Sequence, residues 1–206
     1  MISKTSEPDR TPVRRGDKRD RTRAKLLEAA RAVIREKGYE HTTLREVAKR
    51  AGMTSGAIYG NFKNRDDLFL ALAEVYWPPI IPQFKSGSTL SEMMRGFADA
   101  VIAAIPDREQ SGPGRLAGMA YALTHDEIRA RVQEVTAQSF EIGADWLNSK
   151  VTESELPMPA EHLVRVIYAL TEGLVFQRLL TPELFPDGVF YDAFAALAGG
   201  GKRRKP

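Results

Sequence analysis

The side chains of this 206-residue chain that are spaced to do chemistry lie in TTLREVAKRAGMTSGAIYGNFKNRDDL, Thr42 to Leu68. Ala48 is small, Gly52 follows four places on, and Thr54-Ser55-Gly56-Ala57 is a short-chained polar run. Two helices crossing at a tight turn need a small side chain where their backbones approach. They also need a corner residue that accepts positive φ, which glycine does without steric cost. Ala48 and Gly52 meet those needs, and Met53 and Ile58 are placed to pack a second helix on Val47. This is a helix-turn-helix pattern, whose second helix offers its leading side chains to the DNA major groove. The chemistry is hydrogen bonding rather than bond making. Thr54 and Ser55 can bond base edges or phosphate, Gly56 adds no bulk, and Ala57 can touch a thymine methyl. Tyr59, Asn61 and Lys63 fall where a helix leaving the groove meets phosphates, and Thr43 joins them as a candidate contact.

No other constellation points to a reaction. His41, His125 and His162 are scattered, with no His-x-x-x-His spacing, and cysteine is absent. There is no glycine-rich phosphate loop, nucleophile elbow or Ser/His/Asp spacing. The sequence predicts no enzyme, no metal site and no cofactor.

The elements that would position the quoted run are helical. Leu26, Ala30, Val33 and Ile34 follow the period of an amphipathic helix, which Gly38 should end. Thr43 with Glu46 resembles a capping box, opening a second helix through Arg50. A third helix should run from near Thr54 to near Asn61. Asn64 can cap a fourth, with Asp66 and Asp67 at its positive end, and WPPIIP stops it. Thr89 with Glu92 and Thr124 with Glu127 read as two further capping boxes. PDREQSGPG (106–114) and ESELPMPAEH (153–162) read as loops. Helices are expected over about Asp126–Lys150, over Ala160–Leu180 and through Leu197. No alternating strand pattern or internal repeat appears, so the expected fold is all-α with about nine helices. The expected organisation is a disordered basic arm over 1–20, a helix-turn-helix domain over 21–66, a larger helical domain over 67–200 and a basic tail over 201–206.

Charge divides in the same place. Residues 1–65 hold 17 Lys/Arg against 8 Asp/Glu, and residues 66–201 hold 9 against 19. A basic front on an acidic body suits a front that meets a polyanion. Apolar runs such as Ala100–Ile105 fall far short of the about 20 residues that span a bilayer. No membrane partner and a cytoplasmic location are expected.

The residues Gly38-Tyr39, Thr42-Thr43-Leu44, Val47-Ala48 and Ala51-Gly52-Met53-Thr54 resemble the tetracycline-repressor (TetR/AcrR) family of bacterial regulators in order and spacing. So do Gly56-Ala57-Ile58-Tyr59, Phe62 and Arg65-Asp66-Asp67-Leu68. The resemblance covers about residues 21–75. Asn61 stands where histidine is common, and Arg65 where lysine is common.

The resemblance implies a homodimer joined by the last two long helices, reading a palindromic operator with recognition helices about 34–36 Å apart. It also implies a small, largely apolar effector enclosed by the fourth to seventh helices, with the fourth helix linking effector binding to release. Candidate lining residues are Trp77, Phe84, Met94 and Phe97, then Met119, Tyr121, Phe140 and Trp146. Methionines and aromatics suit an adaptable apolar cavity, although such residues also build plain core. Glu172, Gln177 and Arg178 are possible polar anchors.

The Ala160–Leu180 segment carries two apolar stripes, Leu163-Ile167-Leu170-Leu174 and Val166-Ala169-Gly173-Phe176. A helix apolar on two faces buries one inward and one against something else. The first stripe, with Gly173 and with Phe190 and Phe194 of the last helix, is expected to meet the second copy. The expected function is a dimeric, effector-released transcriptional repressor. An activator or effector-independent regulator remains an alternative, as does an all-α binding protein or enzyme that does not touch DNA.

Overall fold

A computed structural model of the chain describes residues 15–199, with side chains from residue 18. It divides into two compact units, Met1–Ala71 and Leu72–Pro206. Eight α-helices and two short 3-10 turns account for the regular structure of the described residues, all of it helical.

The first unit is built on α1, Arg15–Lys37. Leu26, Leu27, Ala30, Val33 and Ile34 are buried along one stripe of it, as the 3.6-residue period requires. Residues 15–20, expected to precede the fold, form the first turns of this helix. Residues 1–14 and 200–206, which hold the rest of the expected arm and the basic tail, lie outside the described residues. Gly38 ends α1 at φ 79°, its N–H donating to Ile34 C=O at 2.7 Å. Thr42, fully buried, donates its hydroxyl to Gly38 C=O at 2.7 Å, which pins the connection to α2.

α2 spans Leu44–Arg50 with Thr43 as N-cap, and buries Leu44, Val47 and Ala48. Gly52 follows at φ 65°. Its N–H donates to Lys49 C=O at 3.1 Å, and the Met53 N–H donates to Ala48 C=O at 2.8 Å. These two bonds form the Schellman closure of a helix end, and they satisfy carbonyls that would otherwise lack donors. α3, Ser55–Tyr59, is capped by Thr54 and buries Ile58. α4, Arg65–Tyr76, adds Leu68, Phe69 and Ala71 to this core. Tyr39 meets Phe69 edge-on, with ring centroids 4.5 Å apart.

The second unit is organised around α5, Leu90–Thr124, which packs on α6 (Asp126–Asn148), α7 (Ala160–Leu180) and α8 (Asp187–Ala198). Its start is a full capping box: Thr89 Oγ1 accepts from the Glu92 N–H at 3.3 Å, and Glu92 Oε2 accepts from the Thr89 N–H at 2.8 Å. Met94, Ala98 and Val101 of α5 share a core with Leu163 and Val175 of α7 and Phe190 and Phe194 of α8. Arg178 fastens the α7–α8 turn by donating to Phe185 C=O and to Asp187 Oδ1, with its guanidinium 5.0 Å from the Phe190 ring centre.

Two local expectations are overturned. The stretch 106–114 is not a loop: α5 runs through it with Pro106 and Pro113 inside. Each proline deletes one helix hydrogen bond and crowds the preceding turn, at about 3 kcal/mol in an isolated helix. Yet Val101, Ile105, Arg108 and Gly112 are all buried at helical spacing across both prolines, so burial of one continuous face outweighs the local cost. This merger is why eight α-helices stand where about nine were expected. The Thr124–Glu127 box is also missing. Thr124 ends α5 and turns its hydroxyl back to Tyr121 C=O at 3.0 Å. His125, stacked on Tyr121 at 3.8 Å and with Nδ1 2.9 Å from Tyr121 C=O, takes the N-cap position of α6 without a side-chain cap bond to that helix.

Two glycine substitutions test this account by chemical denaturation. Gly52→Ala lowers stability by about 1 kcal/mol, because positive φ strains any Cβ. Gly114→Ala, in mid-helix where a Cβ meets nothing within 4 Å, raises stability by roughly 0.5–1 kcal/mol.

Candidate nucleic-acid interface

α3 presents its residues by a division of faces. Ile58 is fully buried and Phe62 nearly so, while Ser55, Gly56 and Tyr59 are exposed, Tyr59 by 52%. Positions 55, 56 and 59 share one side of a helix, and 58 and 62 the other. The side of α3 turned to solvent is therefore short-chained at its start and ends in a phenol. Ala57 is half-buried at the edge of this surface.

The hydroxyls expected to meet DNA differ in what they still have to offer. Thr54 Oγ1 accepts from the Ala57 N–H at 3.3 Å, which caps α3 and leaves the hydroxyl proton available to donate. Thr43 Oγ1 is engaged both ways, accepting from the Glu46 N–H at 3.2 Å and donating to Glu46 Oε2 at 3.3 Å. Asn61 is turned inward. Its Nδ2 donates to Ala57 C=O at 2.8 Å, and its Oδ1 is buried with no partner. The amide closes the end of α3 and is not presented to a phosphate.

The cations of the first unit divide similarly. Arg50 grips Glu36 through two bonds of 2.8 and 2.5 Å, and Lys37 pairs with Glu46. The Arg50 hydrogen bonds hold the Glu36 carboxyl below its ordinary pKa, and the bond from Lys37 does the same for Glu46. Arg23 lies 4.7 Å from the Phe62 ring centre and donates to Asn61 C=O at 3.4 Å. Arg65 donates to Glu40 C=O at 3.1 Å. These side chains brace the fold, whereas Arg45, Lys49 and Lys63 are exposed.

Residues 26–72 match the model of the bacterial regulatory proteins of the tetR family. Residues 26–72 are thus similar to a tetR-family domain. The chain is similar to the HTH-type transcriptional repressor AcnR of Corynebacterium glutamicum, with 37% identity over 87 residues, 42% of this chain and 46% of that protein. It thus spans about half the length of that relative. Among solved structures, Salmonella enterica GusR superposes with a TM-score of 0.66 at 17% identity, covering 86% of this chain and 95% of GusR. A complex of SmeT with triclosan superposes at 0.57 and 21% identity, covering 90% of this chain and 98% of SmeT. At these identities the structural likeness shows that the all-α fold extends beyond residues 26–72.

Of the residues expected to line an effector pocket, Trp77, Phe84, Met94, Phe97 and Trp146 share one core, and Met119, Tyr121 and Phe140 lie outside it. Phe84, Phe97 and Trp146 form one aromatic cluster, with Phe84 5.5 Å from each of the other two rings. Met94 is fully buried core. Met119 is 41% exposed, Tyr121 stacks on His125, and Phe140 meets Tyr168 edge-on at 5.4 Å. Trp77 packs against the same core, stacked on Phe176 at 5.4 Å and donating Nε1–H to Glu172 Oε1 at 2.8 Å.

The residues expected at a dimer surface are mostly interior too. Leu163, Phe190 and Phe194 are fully buried, Ile167 and Leu174 nearly so, and Leu170 partly, all within the chain's own core. Gly173 alone of that set is exposed. The outward stripe of α7 is the other one, with Val166 37% exposed and Ala169 and Gly173 also exposed.

Sequence reasoning missed Arg108 and Arg115, which join Trp77 and Glu172. The missed signal was the apolar period of α5, which places Arg108 in register with Val101 and Ile105.

Binding measurements check the exposed face of the first unit. Lys63→Ala weakens binding to all duplex sequences alike and shallows the logarithmic salt dependence by about one unit. Ser55→Ala changes preference at one base position by about 1–3 kcal/mol. Sequence-selective loss at Lys63, or uniform loss at Ser55, reverses the two roles. Thr54→Ser, which keeps the cap, is the variant for Thr54, because Thr54→Ala also removes about 1 kcal/mol of capping.

Proposed function

We propose that the chain is a DNA-binding transcriptional repressor, acting in the cytoplasm as a homodimer on a palindromic operator and released by a small-molecule effector. The observation that carries this reading is the exposed, short-chained face of α3, held by the Gly52 corner within a segment similar to the tetR family. Such a face reaches base edges in a major groove, and the exposed cations beside it add sequence-independent attraction to phosphate. Repression is the activity named for AcnR, and SmeT is solved with a small molecule bound. Both likenesses support the repressor and effector parts of the proposal.

The dimer surface follows from α7. Its inward stripe fills the chain's own core, so a second copy has the outward one, Val166, Ala169 and Gly173, with the exposed Leu180 further along. A Cβ on Gly173 meets nothing within 4 Å inside the chain, so the absence of a side chain there lets another backbone approach. α4 is the helix whose residues fall in both units. It is the covalent route by which an effector held in the second unit affects DNA binding.

Selection of bound fragments from random duplex, followed by gel retardation, tests the whole reading. The expected outcome is a two-fold symmetric site retained in a salt-sensitive way. Failure to retain any duplex at low salt overturns it. Gly173→Arg is expected to leave thermal unfolding nearly unchanged while converting the protein to a monomer in sedimentation and abolishing retention of the symmetric site. A dimer that persists in that variant moves the interface off this face of α7.

A further inference from the structure

α5 buries a guanidinium that hydrogen-bonds to no carboxylate among the described residues. Arg108 is 5% exposed. Its Nη2 donates to Pro78 C=O, and its Cζ lies 4.5 Å from the Trp77 ring centre. Its Nη1 is buried and makes no hydrogen bond. Two carboxylates act on it. Asp107 is exposed, and Glu172 is engaged by other donors. Glu172 Oε2 accepts from Arg115 Nη2 at 3.2 Å and Nε at 3.4 Å, while Glu172 Oε1 accepts from Trp77 Nε1 at 2.8 Å. Arg115 Nη2 also donates to the Tyr168 hydroxyl at 3.1 Å.

The cluster of Trp77, Arg108, Arg115, Tyr168 and Glu172 therefore holds two guanidinium groups against one carboxylate, an excess of one positive charge. Burial pulls the Arg108 pKa below its ordinary value, Glu172 opposes that shift, and Arg115 adds to it. Arginine nonetheless stays charged in proteins. A buried charge with an unsatisfied donor is costly, and a fold keeps one where something else supplies the partner.

We propose that Arg108 is the anchor for the effector, and that the effector is a small organic monoanion whose carboxylate accepts from Arg108 Nη1. The inference rests on the reading of the chain as an effector-responsive regulator, and it specifies what kind of effector that is. One excess charge and one orphaned nitrogen call for a single anionic group, and a carboxylate matches the planar donor geometry of a guanidinium. The body of the ligand is apolar. Trp77 Nε1 and both Glu172 oxygens are already paired, and Trp77 and Phe176 present aromatic surface beside it. Trp77 and Arg115 are only partly buried, so the cluster reaches the surface through them.

The test uses the full chain and defined probes: benzoate, hexanoate and indole-3-acetate, each against its neutral amide. Tryptophan fluorescence and thermal shift are read together, and the same preparation is assayed on its selected duplex. The expected result is that at least one acid binds, about tenfold or more tighter than its amide, and weakens retention of DNA. Arg108→Met removes the preference for acid over amide, and Arg108→Lys keeps part of it. Acids and amides binding alike, no acid binding, or an intact preference in Arg108→Met each overturn the anchor. The acid-to-amide comparison on the unaltered chain decides the matter even if a variant does not fold. A preparation that retains its duplex but shows no acid preference sinks the anchor alone, whereas one that retains no duplex sinks the regulator reading.

Discussion

The reversal of the chain at Gly52 is the constraint on which the exposed face of α3 depends. Two backbone bonds, from the Gly52 and Met53 N–H groups back to Lys49 and Ala48, form only if the corner residue takes positive φ. They fix the direction in which α3 departs. Ile58 then drops into the core, and the same geometry turns Ser55, Gly56 and Tyr59 outward. Burial and exposure on a five-residue helix are two results of one angle. Ala48, nearly fully buried, is small enough to let the helices meet there.

Charge in the first unit serves two purposes that a count does not separate. Arg50 and Lys37 bind carboxylates on neighbouring helices, and Arg23 and Arg65 brace carbonyls. The exposed Arg45, Lys49 and Lys63 are those left for the proposed attraction to phosphate. Exposed ion pairs of this kind contribute little stability each. Their effect is to orient α2 against α1 and to hold the corner where α3 begins.

The second unit shows burial overriding local propensity. α5 keeps its helical course through two prolines because Val101, Ile105, Arg108 and Gly112 share one buried face. Carrying that face onward brings Arg108 into the interior, where it meets Trp77 and lies near an already engaged Glu172. A long helix that tolerates prolines for the sake of its core thus also creates the one guanidinium of the cluster that hydrogen-bonds to no carboxylate among the described residues.

Much of the fold was legible without coordinates, because periodicity, caps and corner glycines are local signals. The stops at Gly38 and Gly52, the Thr54 cap and the Thr89–Glu92 box all act within a few residues. The loop at 106–114 was misread for the same reason, since prolines are local and the face that overrides them is not. Asn61 was assigned outward because composition does not show which way an amide turns. On α7 the sequence by itself determined that two apolar faces exist. Only the tertiary structure decided that Leu163, Ile167 and Leu174 point in and Val166, Ala169 and Gly173 point out. The physical reason is that a helical period records how many sides avoid water, while the partner covering each side is set by the packing of distant segments.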